Sequence, residues 1–392
     1  MNKKFAISNG HLIGCDDTNL GSIILISNSR IEKIISDSSK IPIDYEIIDV
    51  NGSIICPGFI DIHCNGGGGA LAMDGKPSSI DKMAIAHASY GTTSFLPTIV
   101  TFTEQEQIDA IKSIVKYSQE DSTGASVVGI HMEGPFINPK KGGTHRKEYL
   151  YSPSIEKFKK YFDAANGLLK LVTLSPELEG VDKLIRYMCD NRIIVSLGHT
   201  DASYEESEEA IKNGASMGTH VFNTMPSISA RTPGIVTSLL TNDKAYVALI
   251  TDGVHVHKGN IKLIFKTKDI DKIILVTDAS PASASNLTSW NFKLGDNTFE
   301  IQIKGFTGYL GENIAGTALT MLSALNIAIQ LTGFPIEKLW KTTSHNIANA
   351  LSLNTKGIIS EGKDADIVVL TPSYPHEVNM TIVGGKIVYN NM

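Results

Sequence analysis

In this chain, acids and imidazoles recur where apolar runs end: Asp61-Ile62-His63, His131-Met132-Glu133, Gly198-His199-Thr200, Thr219-His220, Asp252 with His255, and Thr277-Asp278. A single histidine in such a place is more often a satisfied structural imidazole than a ligand. Their joint occurrence points to chemistry instead. One carboxylate and two imidazoles, Glu133, His199 and His220, make a ligand set for a divalent metal ion that leaves a coordination position for water. Imidazole and carboxylate donors suit zinc, iron, cobalt and manganese alike. Zinc is the first choice, at one ion per chain. Asp278, at the end of the last run, is expected to accept a proton from a water beside the ion and to return it to a leaving amine, the division of labour of metal-assisted amide hydrolysis.

These residues are far apart in sequence, so the fold must bring them together. Short, nearly continuous apolar runs alternate with amphipathic stretches through the middle of the chain, the pattern of parallel strands buried on both faces. Eight such runs begin near Ile54, Thr93, Val127, Lys170, Arg192, Ser216, Tyr246 and Lys272, with helix candidates at 104–117, 204–213 and 260–265. Eight β/α units predict an α/β fold of the TIM (β/α)8 barrel type, in which the strand ends share one face. No G-x-G-x-x-G follows the first run and no G-x-x-x-x-G-K-[ST] occurs, which argues against a doubly wound sheet. Both chain ends differ from the middle: residues 5–14, 22–35, 47–55, 366–370 and 381–389 alternate apolar and polar positions in short runs. Neither end has enough strands for a stable sheet of its own. They are expected to combine into a small flanking β-sandwich, giving a domain of residues 1–53 and 355–392 around a catalytic barrel of residues 54–354. The polar stretch 280–286 reads as a mobile loop, either a lid over Asp278 or a plain surface excursion.

Composition narrows the partners. With 35 Lys+Arg against 41 Asp+Glu the net charge is −6, and no basic stripe offers the phosphate contacts that nucleic-acid binding draws on. No apolar stretch has the length of a membrane span. The four cysteines, Cys15, Cys56, Cys64 and Cys189, lack C-x-x-C spacing, which suits a reducing compartment and a cytoplasmic location. A small-molecule substrate is the expected partner.

Several stretches then resemble the amidohydrolase superfamily and, within it, the N-acetylglucosamine-6-phosphate deacetylases, in that family's order and over nearly the whole chain. They are Pro57-Gly58-Phe59-Ile60-Asp61-Ile62-His63, His131-Met132-Glu133-Gly134-Pro135-Phe136, Lys140-Lys141-Gly142-Gly143-Thr144-His145, Gly198-His199-Thr200, His220-Val221-Phe222-Asn223-Thr224-Met225, Val276-Thr277-Asp278-Ala279, Ala315-Gly316-Thr317-Ala318 and Gly362-Lys363-Asp364-Ala365-Asp366. The resemblance implies a barrel with a flanking sandwich, a cytoplasmic homodimer, and removal of acetate from an amino-sugar phosphate. It departs at Asn65, where the superfamily carries the second histidine of a pair. That departure implies a single-metal site on Glu133, His199 and His220, with His63 left either to a weak second ion or to a hydrogen bond with the water. The resemblance further implies that Arg231 meets the phosphate, in its own or a partner subunit's site, and that Asn223 and Thr224 contact sugar hydroxyls or phosphate. His255 would lie near the phosphate end and His145 against the acetamide carbonyl, with Thr144 beside it. Ile314, Ala315 and Gly316 would close over the substrate.

Three rival readings remain. The same chemistry on N-acetylgalactosamine 6-phosphate differs by one hydroxyl's orientation. A dihydroorotase or imidase would lean on the histidine pair that Asn65 breaks. A non-catalytic interaction protein on a decayed barrel predicts loss of the metal ligands or of Asp278.

Overall fold

The structure is a computed structural model that describes residues 4–15, 23–120, 122–294 and 297–392. Residues 1–3 and 16–22, counted above within the amino-terminal part of the flanking domain, lie outside these residues. Eight parallel strands form a barrel: Phe59–Cys64, Thr92–Ile99, Ile130–Glu133, Leu169–Leu174, Ile194–Leu197, Met217–Gly218, Tyr246–Leu249 and Ile273–Leu275. Each pairs with the next in chain order. The last meets the first through a parallel bridge between Cys64 and Ala279 and a 2.9 Å bond from the Asp278 amide to the His63 carbonyl. Closure leaves no open edge. The expected barrel is thus the observed one, and its strands are buried along nearly all of their length because helices cover the outside.

The flanking sandwich is built from both ends of the chain, as expected. One sheet orders the strands Arg30–Ile35, Ile23–Ser27, Lys4–Ser8 and Glu46–Asp49; the other orders His11–Leu12, Ile54–Pro57, Ile367–Leu370, Val378–Val383 and Lys386–Asn390. Phe5, Ile7, Ile24 and Ile26 from the first face Ile55, Ile367, Val369 and Ile382 from the second in one apolar core. The apolar run that begins at Ile54 therefore divides. Ile54–Pro57 pairs with Ile367–Leu370 in the sandwich, and only Phe59–Cys64 enters the barrel. Gly58 marks the division, where a Cβ would lie 2.2 Å from the Thr93 side chain.

Helix caps follow local chemistry. Thr103 and Glu106 form a reciprocal capping box before the helix Glu104–Tyr117, and Ser203 with Glu206 does the same before Tyr204–Lys212. Among the described residues no helix is long and apolar enough to cross a membrane.

One element was not foreseen. After Asp278 the chain builds a four-stranded antiparallel sheet from Ser289–Leu294, Asn297–Lys304, Thr307–Leu310 and Asn313–Thr317. The stretch leading into it is no surface loop. Ser280 and Ser283 are buried, their hydroxyls donate to the Thr317 and Leu319 carbonyls, and the Gly68 and Gly69 amides donate to the Ser283 and Pro281 carbonyls. Small polar side chains serve there because they satisfy backbone groups in a tight seam.

Candidate active site

Glu133 ends the third barrel strand, and alternation along a strand sends it and His131 to the same interior face. His131 lies one layer deeper, bonded to Thr98 at 3.2 Å and to Thr173 at 2.8 Å. His199 and His220 follow the fifth and sixth strands, and Asp278 follows the eighth. All three adopt left-handed backbone, with φ of 50°, 26° and 51°, and so do Phe222 at 81° and Thr224 at 52°. Such dihedrals are uncommon for residues with a Cβ and persist where surrounding structure imposes them, commonly at functional sites.

Glu133, His199 and His220 converge. The Glu133 Oε1 lies 3.1 Å from His199 Nε2 and 2.9 Å from His220 Nε2, and the two nitrogens lie 3.2 Å apart. Donors about 2.0–2.1 Å from a tetrahedral ion would be separated by about 3.3–3.4 Å, so the triangle fits one divalent cation with slight expansion. The tautomer of His199 fits as well. Its Nδ1 donates to the Lys141 carbonyl at 2.9 Å, which leaves the Nε2 lone pair facing Glu133.

His145 also comes close, its ligating nitrogen within 4.8 Å of those of Glu133 and His199. Its environment suits a different task. The Thr101 amide donates to His145 Nδ1, so the proton of the neutral ring sits on Nε2, 3.6 Å from Glu133 Oε2. A protonated nitrogen donates rather than ligates.

Opposite the ligand triangle stands Asp278. Its Oδ1 accepts from the Asn65 amide at 2.6 Å and lies 3.3 Å from His63 Nε2, which in turn is 3.4 Å from Glu133 Oε2. His63 is fully buried, and its Nε2 lacks a properly directed hydrogen bond. Burial alone would depress its pKa, but the Glu133 and Asp278 carboxylates push it up to about 9. Burial would raise the Glu133 carboxyl; facing His63 and the rings of His145, His199 and His220, it is instead held well below the ordinary range. Burial lowers His145 and His220.

A cavity of about 350 Å³ opens onto this cluster, lined by Glu133, His145, His199, His220, Asp278 and Asn65. Thr144, Asn223, Thr224, His255, Ile314, Ala315 and Gly316 line it as well. Two expected residues do not. His63 sits behind the wall, and Arg231 is exposed on the loop after the sixth strand, outside the lining. The residues that sequence reasoning missed are equally clear. Arg146, next to His145, brings a guanidinium to the wall, and Trp290, Ile301 and Leu310 come from the unforeseen sheet. Asn65, noted only as a missing histidine, holds Asp278 instead. Arg146 could have been found from its place beside His145; the Asn65 contact spans 213 residues and leaves no local signal.

The model of the amidohydrolase family matches residues 54–388. An N-acetylglucosamine-6-phosphate deacetylase from Bacillus subtilis (strain 168) is 36% identical over 372 residues, covering 93% of this chain and 92% of that protein. An N-acetylgalactosamine-6-phosphate deacetylase from Escherichia coli O157:H7 is 31% identical over 332 residues, covering 84% and 86%. The crystal structure of N-acetylglucosamine-6-phosphate deacetylase from Pasteurella multocida superposes with a TM-score of 0.91 at 31% identity, covering 99% of this chain and 100% of that one.

Proposed function

The chain belongs to the amidohydrolase family, and from that premise we propose that it hydrolyses N-acetyl-D-glucosamine 6-phosphate to D-glucosamine 6-phosphate and acetate. One observation carries the reading: a cation-sized triangle of Glu133, His199 and His220 faces a carboxylate, Asp278, across a single cavity.

A divalent ion, zinc before iron, cobalt or manganese, would be held by that triangle at one per chain and supply Lewis acidity to the acetamide carbonyl and to a water. Everything else is the work of side chains. Asp278, fixed by the Asn65 amide, takes the proton of the attacking water and passes it to the departing nitrogen. His145 carries its proton on Nε2 and can donate to the carbonyl oxygen as negative charge develops there. His63 lies between two carboxylates, where its charge balances theirs. Asn223, Thr224 and Thr144 offer polar contacts to the sugar, while Ile314, Ala315 and Gly316 wall its far side.

The phosphate requires cationic or donor groups. His255 supplies an imidazole and Arg146 a guanidinium from the same chain. Arg231 is exposed and outside the lining, and we assign it to the phosphate in a partner's cavity of a homodimer. A cytoplasmic location suits a sugar-phosphate substrate.

The test combines metal analysis of the purified protein with acetate release from the gluco and galacto sugar phosphates. Expected are one ion per chain and the higher kcat/KM on the gluco epimer. A metal-replete protein inactive on both would refute the assignment, and a galacto preference would move it to the epimer.

A further inference from the structure

We infer that Asp252 is a positioning residue that sets the tautomer of His255 and ties it, through Thr307, to the inserted sheet. The inference rests on the reading above, in which His255 faces the phosphate.

Asp252 follows the seventh barrel strand, and its side chain is completely buried. Its two oxygens have separate tasks. Oδ1 accepts from the amides of Val254 and His255 at 2.9 and 2.8 Å, an Asx-type cap on its own turn. Oδ2 takes no part in that turn. It lies 2.7 Å from His255 Nδ1 and accepts from the Thr307 hydroxyl at 2.8 Å. Burial opposes ionisation of Asp252, yet the His255 contact and the other donors hold its carboxyl below the usual range. A turn cap needs one oxygen, and asparagine would serve. Two further donors converging on the second oxygen need a carboxylate.

A carboxylate oxygen only accepts, so His255 Nδ1 must carry a proton and Nε2 is the nitrogen left for the cavity. The second donor makes the arrangement more than local. Thr307 is buried, lies 55 residues further along, and begins a strand of the sheet that also brings Ile301, Leu310 and Ile314 to the cavity. Docking of that sheet and orientation of the imidazole are one event, because a single oxygen receives both.

The Asp252→Asn variant tests this directly, since it keeps the turn cap and replaces only the second oxygen with an amide NH2 group. That NH2 would donate to Nδ1 and invert the tautomer, the logic by which an amide next to a catalytic imidazole disables it. In the full-length metal-loaded protein, KM for N-acetylglucosamine 6-phosphate should rise at least 10-fold with kcat changed less than 3-fold. The penalty should be at least 5-fold smaller for unphosphorylated N-acetylglucosamine. In a His255→Gln background, Asp252→Asn should add less than 2-fold. Thr307→Val should raise KM about 2- to 5-fold, and Thr307→Ser should restore it; this pair carries the test if Asp252→Asn is recovered unfolded. Equal penalties on both sugars, or full additivity with His255→Gln, would overturn the inference. Nitrogen spectra of 15N-histidine-labelled protein need no substrate: the His255 pattern should show Nδ1–H in wild type and Nε2–H in Asp252→Asn, and an unchanged pattern refutes the inference. Failure of wild type to release acetate from either sugar phosphate would remove the functional reading and leave the spectra to decide the role of Asp252.

Discussion

Asn65→Ala isolates the contact that holds Asp278. In this chain a side chain that cannot replace imidazole as a transition-metal ligand donates instead to Asp278, at 2.6 Å. Hydrogen bonds to charged groups contribute about 1.5–3 kcal/mol. At about 1.36 kcal/mol per decade that spans about 10- to 160-fold in rate. His63 still faces the same carboxylate oxygen from 3.3 Å after the amide is gone, so the loss belongs to the lower part of the range. We expect kcat to fall about 10- to 30-fold, on the scale of one charged hydrogen bond. KM should change little, and metal content should be unchanged because Asn65 touches none of Glu133, His199 and His220. Steady-state acetate release and elemental analysis measure all three quantities. Asn65→Asp should be worse than alanine, since it sets a second negative charge against Asp278. An alanine variant within 2-fold of wild type, or one that loses its ion, would refute the positioning role of Asn65.

Asp278→Asn should lower kcat by about 10²–10⁴-fold, the usual weight of a general acid–base group, while elemental analysis finds the ion still bound. Chelation should lower the melting temperature by about 5 °C or more in calorimetry, because an ion that binds only the folded chain stabilises it; Glu133→Gln should abolish that response. Arg146→Met and Arg231→Met should each raise KM for the sugar phosphate, but only the Arg231 effect should be complemented when the variant is mixed with an active-site-dead chain that retains Arg231. Lys268 is buried against the carbonyl of Leu239 and that of Asn242, and burial lowers its pKa to about 8 from an ordinary 10.5. Its folded value lies below its unfolded one, so between these values the unfolded chain binds more protons and stability rises with pH. Urea midpoints of wild type should therefore gain on those of Lys268→Met from pH 8 to 10, and a flat difference would contradict the assignment.

Legibility varied with the range of the signal. The eight barrel strands announce themselves as short apolar runs, and because strand ends share one face in such a barrel, Glu133, His199, His220 and Asp278 could be grouped before any coordinates. The flanking sandwich followed from two chain ends that each lacked strands. Division of the first run at Gly58 was invisible, because Ile54–Pro57 and Phe59–Cys64 are equally apolar and only their partners differ. The inserted sheet was missed because small polar residues precede it, and their burial depends on backbone groups of distant segments. Asn65 and Asp252 act through contacts that cross from one strand end or sheet to another. Composition and periodicity carry no trace of such contacts.

The left-handed backbone at the strand exits bears on how this protein would respond to selection. In the proposed mechanism His199 and His220 hold this conformation as ligands and Asp278 as proton carrier, whereas Phe222 and Thr224 share it with neither role. For β-branched Thr224 a φ of 52° is especially unfavourable. Libraries screened only for heat resistance should enrich glycine or asparagine at this rim position and yield hardier but poorer catalysts, the familiar exchange between robustness and turnover. Screens that couple heat challenge to acetate release should retain threonine.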